Sequence, residues 1–200
     1  RERKRFTTLV LGRRAGKTTL GQDLCCEPSV LQYPVGWFAP TYKDMLEVWR
    51  AMVEVLRPIA KRVSASDFRI ENMAGGVLEF WSMDNGKAGR SRKYKRVILD
   101  ECAFVPNLLD TWNAAIRPTL ADYRGDAYFL STPKGRNGFW SLWANGGNRD
   151  GWQSWQMPSN VNPYIQAQEL ADLKADLPER KYLQEIEAQF IEDGAGIIRY

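Results

Sequence analysis

The stretch FTTLVLGRRAGKTT, Phe6 to Thr19, decides the fold. Phe6–Leu11 is a short run rich in β-branched and apolar residues, the composition of a buried strand. It breaks at a Gly/Arg turn, and Thr18 to Cys26 then reads as a helix closed by Pro28. A strand that runs through a glycine-bounded turn into a helix is the context a phosphate-binding loop needs. The residues Gly12, Arg13, Arg14, Ala15, Gly16, Lys17, Thr18 and Thr19 form that turn. Glycine lets the backbone wrap closely around phosphate oxygens with its N–H groups turned inward, and the helix N-terminus adds the positive end of its dipole. Lys17 is expected to reach the β- and γ-phosphates of ATP, and Thr18 to offer its hydroxyl to Mg²⁺. The loop is GxxxGKT, one residue shorter than GxxxxGK[ST]. Arg13 and Arg14 are unusual in a loop whose work is done by backbone donors. Either one could neutralise charge beside the triphosphate, or pair with an acid on a neighbouring loop.

Composition bounds the remaining choices. Two hundred residues, 44% hydrophobic and 26% charged, make one ordinary globular domain with at most a small appendage. No apolar run is long enough to span a membrane, and the chain opens on RERKRF, so neither a membrane span nor a signal peptide is expected. Histidine is absent, which excludes Ser-His-Asp and Cys-His nucleophile schemes and the HExxH zinc site. Cys25, Cys26 and Cys102 are odd in number and partly vicinal, which reads as buried thiols rather than a disulfide framework. Charge is unevenly spread. Six bases and no acid lie between Asn85 and Arg96, whereas from Gln168 onward eight acids face four bases. A basic front and an acidic tail suit a polyanion site built on the first part, or a solvated face.

Beyond the loop the pattern alternates strand and helix: a strand at 35–39, a helix over 42–63 with Pro58 kinking or ending it, and a hairpin of 68–72 and 77–82 around Gly75-Gly76. Strands follow at 97–99 and 127–130, with a helix between them over 108–116. A short helix at 138–144, a strand at 152–157 and helices at 165–175 and 179–191 complete the chain. Such alternation predicts an α/β fold, a mostly parallel sheet flanked by helices. The last two helices, after a boundary near Val161, read as a helical lid or linker over 161–200 beside a core over 1–160. Of eight tryptophans, Trp140, Trp143, Trp152 and Trp155 lie close together, and core packing is the expected use.

Arg96-Val97-Ile98-Leu99-Asp100-Glu101 is a buried strand ending in two acids. Ligands of open parallel sheets sit at the carboxyl ends of strands, so Asp100 should face the phosphate loop and hold Mg²⁺. Glu101 should polarise an attacking water as general base, which points to hydrolysis rather than transfer. Ser131-Thr132, at the end of the next buried strand, could sense the γ-phosphate and relay its loss, or simply form a strand exit.

With these elements in order, the sequence resembles the ATPase domain of a tailed-phage terminase large subunit, a DNA-packaging motor. WFAPTYKDM (Trp37–Met45), GRSRKYKRVILDE (Gly89–Glu101), STPKGRNGFWSLW (Ser131–Trp143), NPYI (Asn162–Ile165) and YLQEIEAQFIEDGAG (Tyr182–Gly196) carry the likeness. The short Walker A with arginine in second position is a habit of that family. The resemblance implies a RecA-like (ASCE) P-loop ATPase. Lys17 and Thr18 match its Walker A lysine and threonine, Arg13 its Walker A arginine, Asp100 and Glu101 its Walker B pair, and Ser131-Thr132 its coupling motif. Arg90 matches an arginine before Walker B that acts on a neighbouring subunit, although the family has Arg-Gly where this chain has Arg90-Ser91. The implied partners are double-stranded DNA, a homo-oligomeric (pentameric) ring, a portal protein and a small terminase subunit, in the host cell cytoplasm. The family's nuclease activity belongs to a separate domain and is not expected of these residues. A helicase-like or other P-loop remodelling ATPase, or a nucleotide-gated binding module, are the competing readings.

Overall fold

A computed structural model describes residues 3–84 and 86–192. Asn85, at the head of the basic run, and the last residues of the YLQEIEAQFIEDGAG likeness lie outside the described residues. Eight strands form one sheet: β1 (Phe6–Leu11), β2 (Pro34–Ala39), β3 (Ala60–Ser64), β4 (Arg69–Asn72), β5 (Val77–Ser82), β6 (Arg96–Leu99), β7 (Asp126–Ser131) and β8 (Trp152–Met157). Their order is β3-β4-β5-β2-β6-β7-β1-β8. The run from β5 to β8 is parallel throughout, and the β3–β4 and β4–β5 pairs are antiparallel. β7 therefore lies between the strand that opens the phosphate loop and the strand that ends in Asp100-Glu101. Parallel pairing sends the carboxyl ends of β1, β6 and β7 to one edge.

Strand residues alternate between two buried faces, as strands covered on both sides must. Leu9, Leu11, Trp37, Ile98 and Leu130 pack under α1 (Lys17–Val30) and α2 (Tyr42–Leu56). Val10, Phe38, Val97, Leu99 and Phe129 pack on the other face. That face is covered by α3 (Leu108–Thr111), which continues as a π turn and a 3₁₀ turn to Leu120, and by α4 (Gly138–Ala144). On α2 the buried stripe is Met45, Val48, Met52 and Leu56. Trp37, Trp112 and Trp152 are buried and Trp140 and Trp143 half-buried, whereas Trp155 is exposed. Cys25 and Cys102 are buried and no disulfide forms. Among the described residues no helix is long and apolar enough to cross a membrane.

The structure departs from the sequence reading at four places. Residues 61–63 are not helix. The helix stops at Leu56, a 3₁₀ turn spans Arg57–Ile59 around Pro58, and β3 takes up the edge of the sheet. The helix through 108–116 likewise does not stop at Arg117-Pro118 but winds on to Leu120, because a proline early in a turn needs no N–H. The helix from Glu179 ends at Glu185 rather than 191. Ala188 turns left-handed (φ 56°), Ile186 and Ala188 are buried, and Phe190 packs on Trp143.

Finally, Pro28 does not close α1 but sits inside it. Its missing N–H leaves the Leu24 carbonyl free, and Arg96 Nη1 donates to that oxygen at 3.1 Å. The same guanidinium grips both Asp126 carboxylate oxygens, at 2.7 and 2.8 Å, and Glu27 at 2.9 Å. One buried arginine thus ties β6, β7 and α1 together at the amino edge. Arg96→Met should destabilise the chain by about 3 kcal/mol in urea unfolding, because it leaves buried acceptors unpaired. Arg96→Lys should recover little, since an ammonium cannot reproduce the two-pronged grip.

Candidate active site

The phosphate loop leaves β1 at Gly12, where a side chain has no room: a Cβ there would lie 2.4 Å from Ser159 Oγ and 2.5 Å from the Ile186 carbonyl oxygen. Gly16 caps α1 at φ 88°, the left-handed conformation glycine takes without strain. Arg14 takes φ 57° in the middle of the loop. A strap from the chain's C-terminal part grips the outer side of the loop. Ser159 Oγ donates to the Arg13 carbonyl at 2.7 Å and Asn162 Nδ2 to the Arg14 carbonyl at 2.6 Å. The Arg13 N–H donates to the Glu185 carbonyl at 2.7 Å, and Arg13 Nε lies 3.8 Å from the Glu185 carboxylate. Arg13 is therefore paired with an acid of the helix Glu179–Glu185, while both loop arginines remain exposed. Asn162 and Glu185 fall inside the NPYI and YLQEIEAQFIEDGAG stretches, which carried no role for either residue, and Ser159 lies outside both.

Inside the loop, Lys17 is buried and its Nζ is shared by oxygens from three strand ends. It lies 3.3 Å from the Gly12 carbonyl after β1, 2.9 Å from Thr132 Oγ1 after β7, and 3.6 Å from Glu101 Oε1 after β6. Thr18 Oγ1 donates to Asp100 Oδ2 at 3.3 Å. Glu101 N–H donates to Asp100 Oδ1 at 3.0 Å, and Ser131 Oγ donates to Glu101 Oε2 at 3.3 Å. Ser131 is itself held by the Ala103 N–H at 3.1 Å. Lys17, Thr18, Asp100, Glu101, Ser131 and Thr132 thus meet at one edge. Gly16, Thr19 and both loop arginines line the same cavity of about 490 Å³, with Asn162, Tyr164 and Ile165 opposite. Glu101 sits at φ 45°, a strained conformation for a non-glycine residue.

Arg90 stands apart from this cluster. The segment carrying it leaves β5 at its carboxyl end, where the Met83 N–H donates to the Ala39 carbonyl. It therefore starts on the site's edge and not at the far edge, and Met83 and Ala88 pack on the sheet face as it crosses. Arg90 is exposed and forms no ion pair among the described residues. Ser91 beside it adopts φ 64°, a conformation glycine takes freely, so Arg-Gly and Arg90-Ser91 suit the same backbone. Arg92 is occupied within the chain, with Nε 3.4 Å from Glu79 and the guanidinium over Trp81.

Asp100 is 5% exposed. Burial pushes its carboxyl up to about 7, the neighbouring Glu101 adds to the rise, and Lys17 and the Thr18 hydroxyl only partly offset it. A carboxylate this starved of solvent, facing a hydroxyl, is a donor set that a hard divalent cation would satisfy. Among the described residues no three acidic or thiol side chains cluster tightly enough to hold a metal alone. A cation here would take its remaining ligands from phosphate and water, as Mg²⁺ does at nucleotides.

The model of the terminase large subunit, T4likevirus-type, N-terminal, matches residues 8–200. The chain belongs to the terminase large subunit family. It is 29% identical over 197 residues to the terminase large subunit of Escherichia phage T5, covering 94% of this chain and 44% of that protein. A terminase large subunit from Thermus phage G20c is 37% identical over 95 residues, 44% of this chain and 16% of that one. The chain thus spans less than half of the relatives it matches. Among solved structures, the ATPase domain of the Thermus phage P74-26 large terminase superposes with TM-score 0.76 at 25% identity, covering 96% and 90% of the two chains. The large terminase of another thermophilic bacteriophage, in complex with ATP-γ-S and at 15% identity, shares the fold with TM-score 0.73 over 94% of this chain and 48% of that one. The RecA-like fold and the terminase ATPase domain follow for this chain.

The raised Asp100 sets the pH dependence of stability. Unfolded, an aspartate titrates near pH 4. From about pH 4 to about pH 7 the folded chain therefore binds the extra proton, and stability falls as the pH rises through that window. Without divalent cation, Asp100→Asn should raise the melting temperature at pH 8, corresponding to a gain on the order of 2 kcal/mol. It should also flatten the melting profile between pH 5 and 8. A variant that melts below the parent at pH 8 would show that Asp100 is not held against its ionisation.

Proposed function

We propose that this chain hydrolyses Mg-ATP and, as one subunit of a homo-oligomeric (pentameric) ring, uses the energy to drive double-stranded viral DNA into a procapsid. The observation that supports the reading is the meeting of Lys17, Thr18, Asp100, Glu101 and the Ser131-Thr132 hydroxyls at one sheet edge. Lys17 and the N–H groups of the loop bind the β- and γ-phosphates. Thr18 and Asp100 would hold Mg²⁺, which would neutralise phosphate charge as the γ-phosphoryl group passes to water. Glu101 accepts a proton from the attacking water, with Ser131 orienting its carboxylate.

Lys17 Nζ faces the Glu101 carboxylate at 3.6 Å. A γ-phosphate that takes over Lys17 frees Glu101 to face the water, and Thr132 and Ser131, each bonded to one of the two, report the change to β7. Arg13 adds positive charge beside the phosphates. Arg90, exposed and without an acidic partner among the described residues, reaches the site of the neighbouring subunit. The ring stands on DNA at the portal protein with the small terminase subunit as partner, in the host cell cytoplasm. The segment 161–200 acts as a helical lid or linker. A helicase-like motor would share this chemistry, and a strand-separation assay tells the two apart: the packaging reading expects none.

Steady-state phosphate release tests the roles. Lys17→Ala should abolish turnover and weaken nucleotide binding. Glu101→Gln should bind ATP as the parent does while turnover falls roughly 10²- to 10⁴-fold. A Glu101→Gln variant hydrolysing at the parent rate would assign the water to another residue. Arg90→Ala should lower assembled activity by roughly 10³-fold or more. Mixed Arg90→Ala and Glu101→Gln subunits should regain activity neither has alone. An unimpaired Arg90→Ala ring would move the finger elsewhere.

A further inference from the structure

Tyr164 is 92% exposed, the most exposed of the large hydrophobic side chains among the described residues. Among the described residues it forms no ring contact and its hydroxyl makes no hydrogen bond. Its backbone, by contrast, is fixed to the phosphate loop. Tyr164 N–H donates to Asn162 Oδ1 at 3.0 Å, and Asn162 Nδ2 donates to the Arg14 carbonyl at 2.6 Å. The Ile165 N–H closes the turn on the Asn162 carbonyl at 3.2 Å, and Ser159 anchors the start of the strap on Arg13. An unpacked aromatic ring is thereby held at a set place on the wall of the 490 Å³ cavity that Lys17 and Thr18 line.

Lys17 and Glu101 meet in that cavity from the strand ends, whereas Tyr164 enters from the strap that holds the outer side of the loop. A cavity of this size lies within the range of sites that enclose a whole small-molecule ligand, and it holds more than a phosphate tail. The part of a nucleotide that extends past the phosphates is a flat base, and a flat base gains most from an exposed aromatic face.

Resting on the proposed ATPase reading, we propose that Tyr164 is the base-stacking residue of the nucleotide site, binding the purine ring of ATP once the phosphates are seated. Both ends of the Asn162 amide are engaged, to Arg14 and to Tyr164, so the strap offers a ring face rather than a hydrogen-bond reader of the base edge.

Calorimetric titration of the full chain with a non-hydrolysable Mg-ATP analogue and, separately, with Mg-tripolyphosphate tests this. Tyr164→Ala should weaken the analogue by roughly five- to a hundredfold, leave tripolyphosphate unchanged, and be rescued by Tyr164→Phe. Unchanged tripolyphosphate binding also shows that the variant is folded. Three results overturn the assignment: an analogue affinity in Tyr164→Ala equal to the parent's, an equal loss for both ligands, or a failure of Tyr164→Phe to rescue. A parent chain that binds neither ligand instead overturns the nucleotide-site reading, and the stacking role falls with it. Lys17→Ala is the reference, expected to lose both ligands together.

Discussion

A buried ammonium must be surrounded by oxygens, and Lys17 finds its oxygens at the ends of three different strands. This requirement organises the site. It fixes how far α1 can lie from β7, brings Thr132 and Glu101 to the same flank of the loop, and makes the order β6-β7-β1 part of the chemistry rather than only of the packing. Were β1 and β6 adjacent, no hydroxyl-bearing strand end would stand between the lysine and the acids. With β7 between them, Ser131 bonds Glu101 and Thr132 bonds Lys17. A change at either charged group is thus felt by one strand, and through it by α4 just downstream.

The two edges of the sheet are built in opposite ways. At the amino edge Arg96 satisfies two carboxylates and the carbonyl that Pro28 leaves free, and the ionic needs there are met within the chain. At the carboxyl edge Asp100 is held against its ionisation, Glu101 and Arg14 take left-handed backbone, and Tyr164 stands unpacked. The unmet charge lies where a triphosphate and a divalent cation would relieve it, and the other edge, together with two apolar layers, holds the fold in place. The strap from Ser159 to Ile165 uses hydrogen bonds to backbone carbonyls to keep a strained loop in shape.

The sheet and the site were legible in the sequence to different depths. Phe6–Thr19 and Val97–Glu101 read correctly because their signals are local: an apolar strand of few residues, then glycine or acid at a fixed offset. Residues 61–63 did not, because an edge strand carrying Lys61 and Arg62 has no apolar alternation, and its identity comes from pairing with β4. Pro28 misled because the group that rescues its helix, Arg96, lies 69 residues or more along the chain from its partners in α1. Ser131 and Thr132 were visible as a strand exit, but the contact between Thr132 and Lys17 is set by β7 standing beside β1. Ser159 and Asn162 hold the loop by its backbone carbonyls and Glu185 by its own carbonyl, contacts between distant stretches that only the fold brings together.

All of this rests on one claim, that the pocket around Lys17 is where a triphosphate is bound and cleaved. The most direct measurement is a structure of the chain with Mg²⁺ and a transition-state analogue of ATP. The account predicts the terminal phosphate mimic against Lys17 Nζ, the metal between Thr18 and Asp100, and the Lys17–Glu101 contact opened. An analogue bound elsewhere, with Lys17 still shared among Gly12, Thr132 and Glu101, would contradict it.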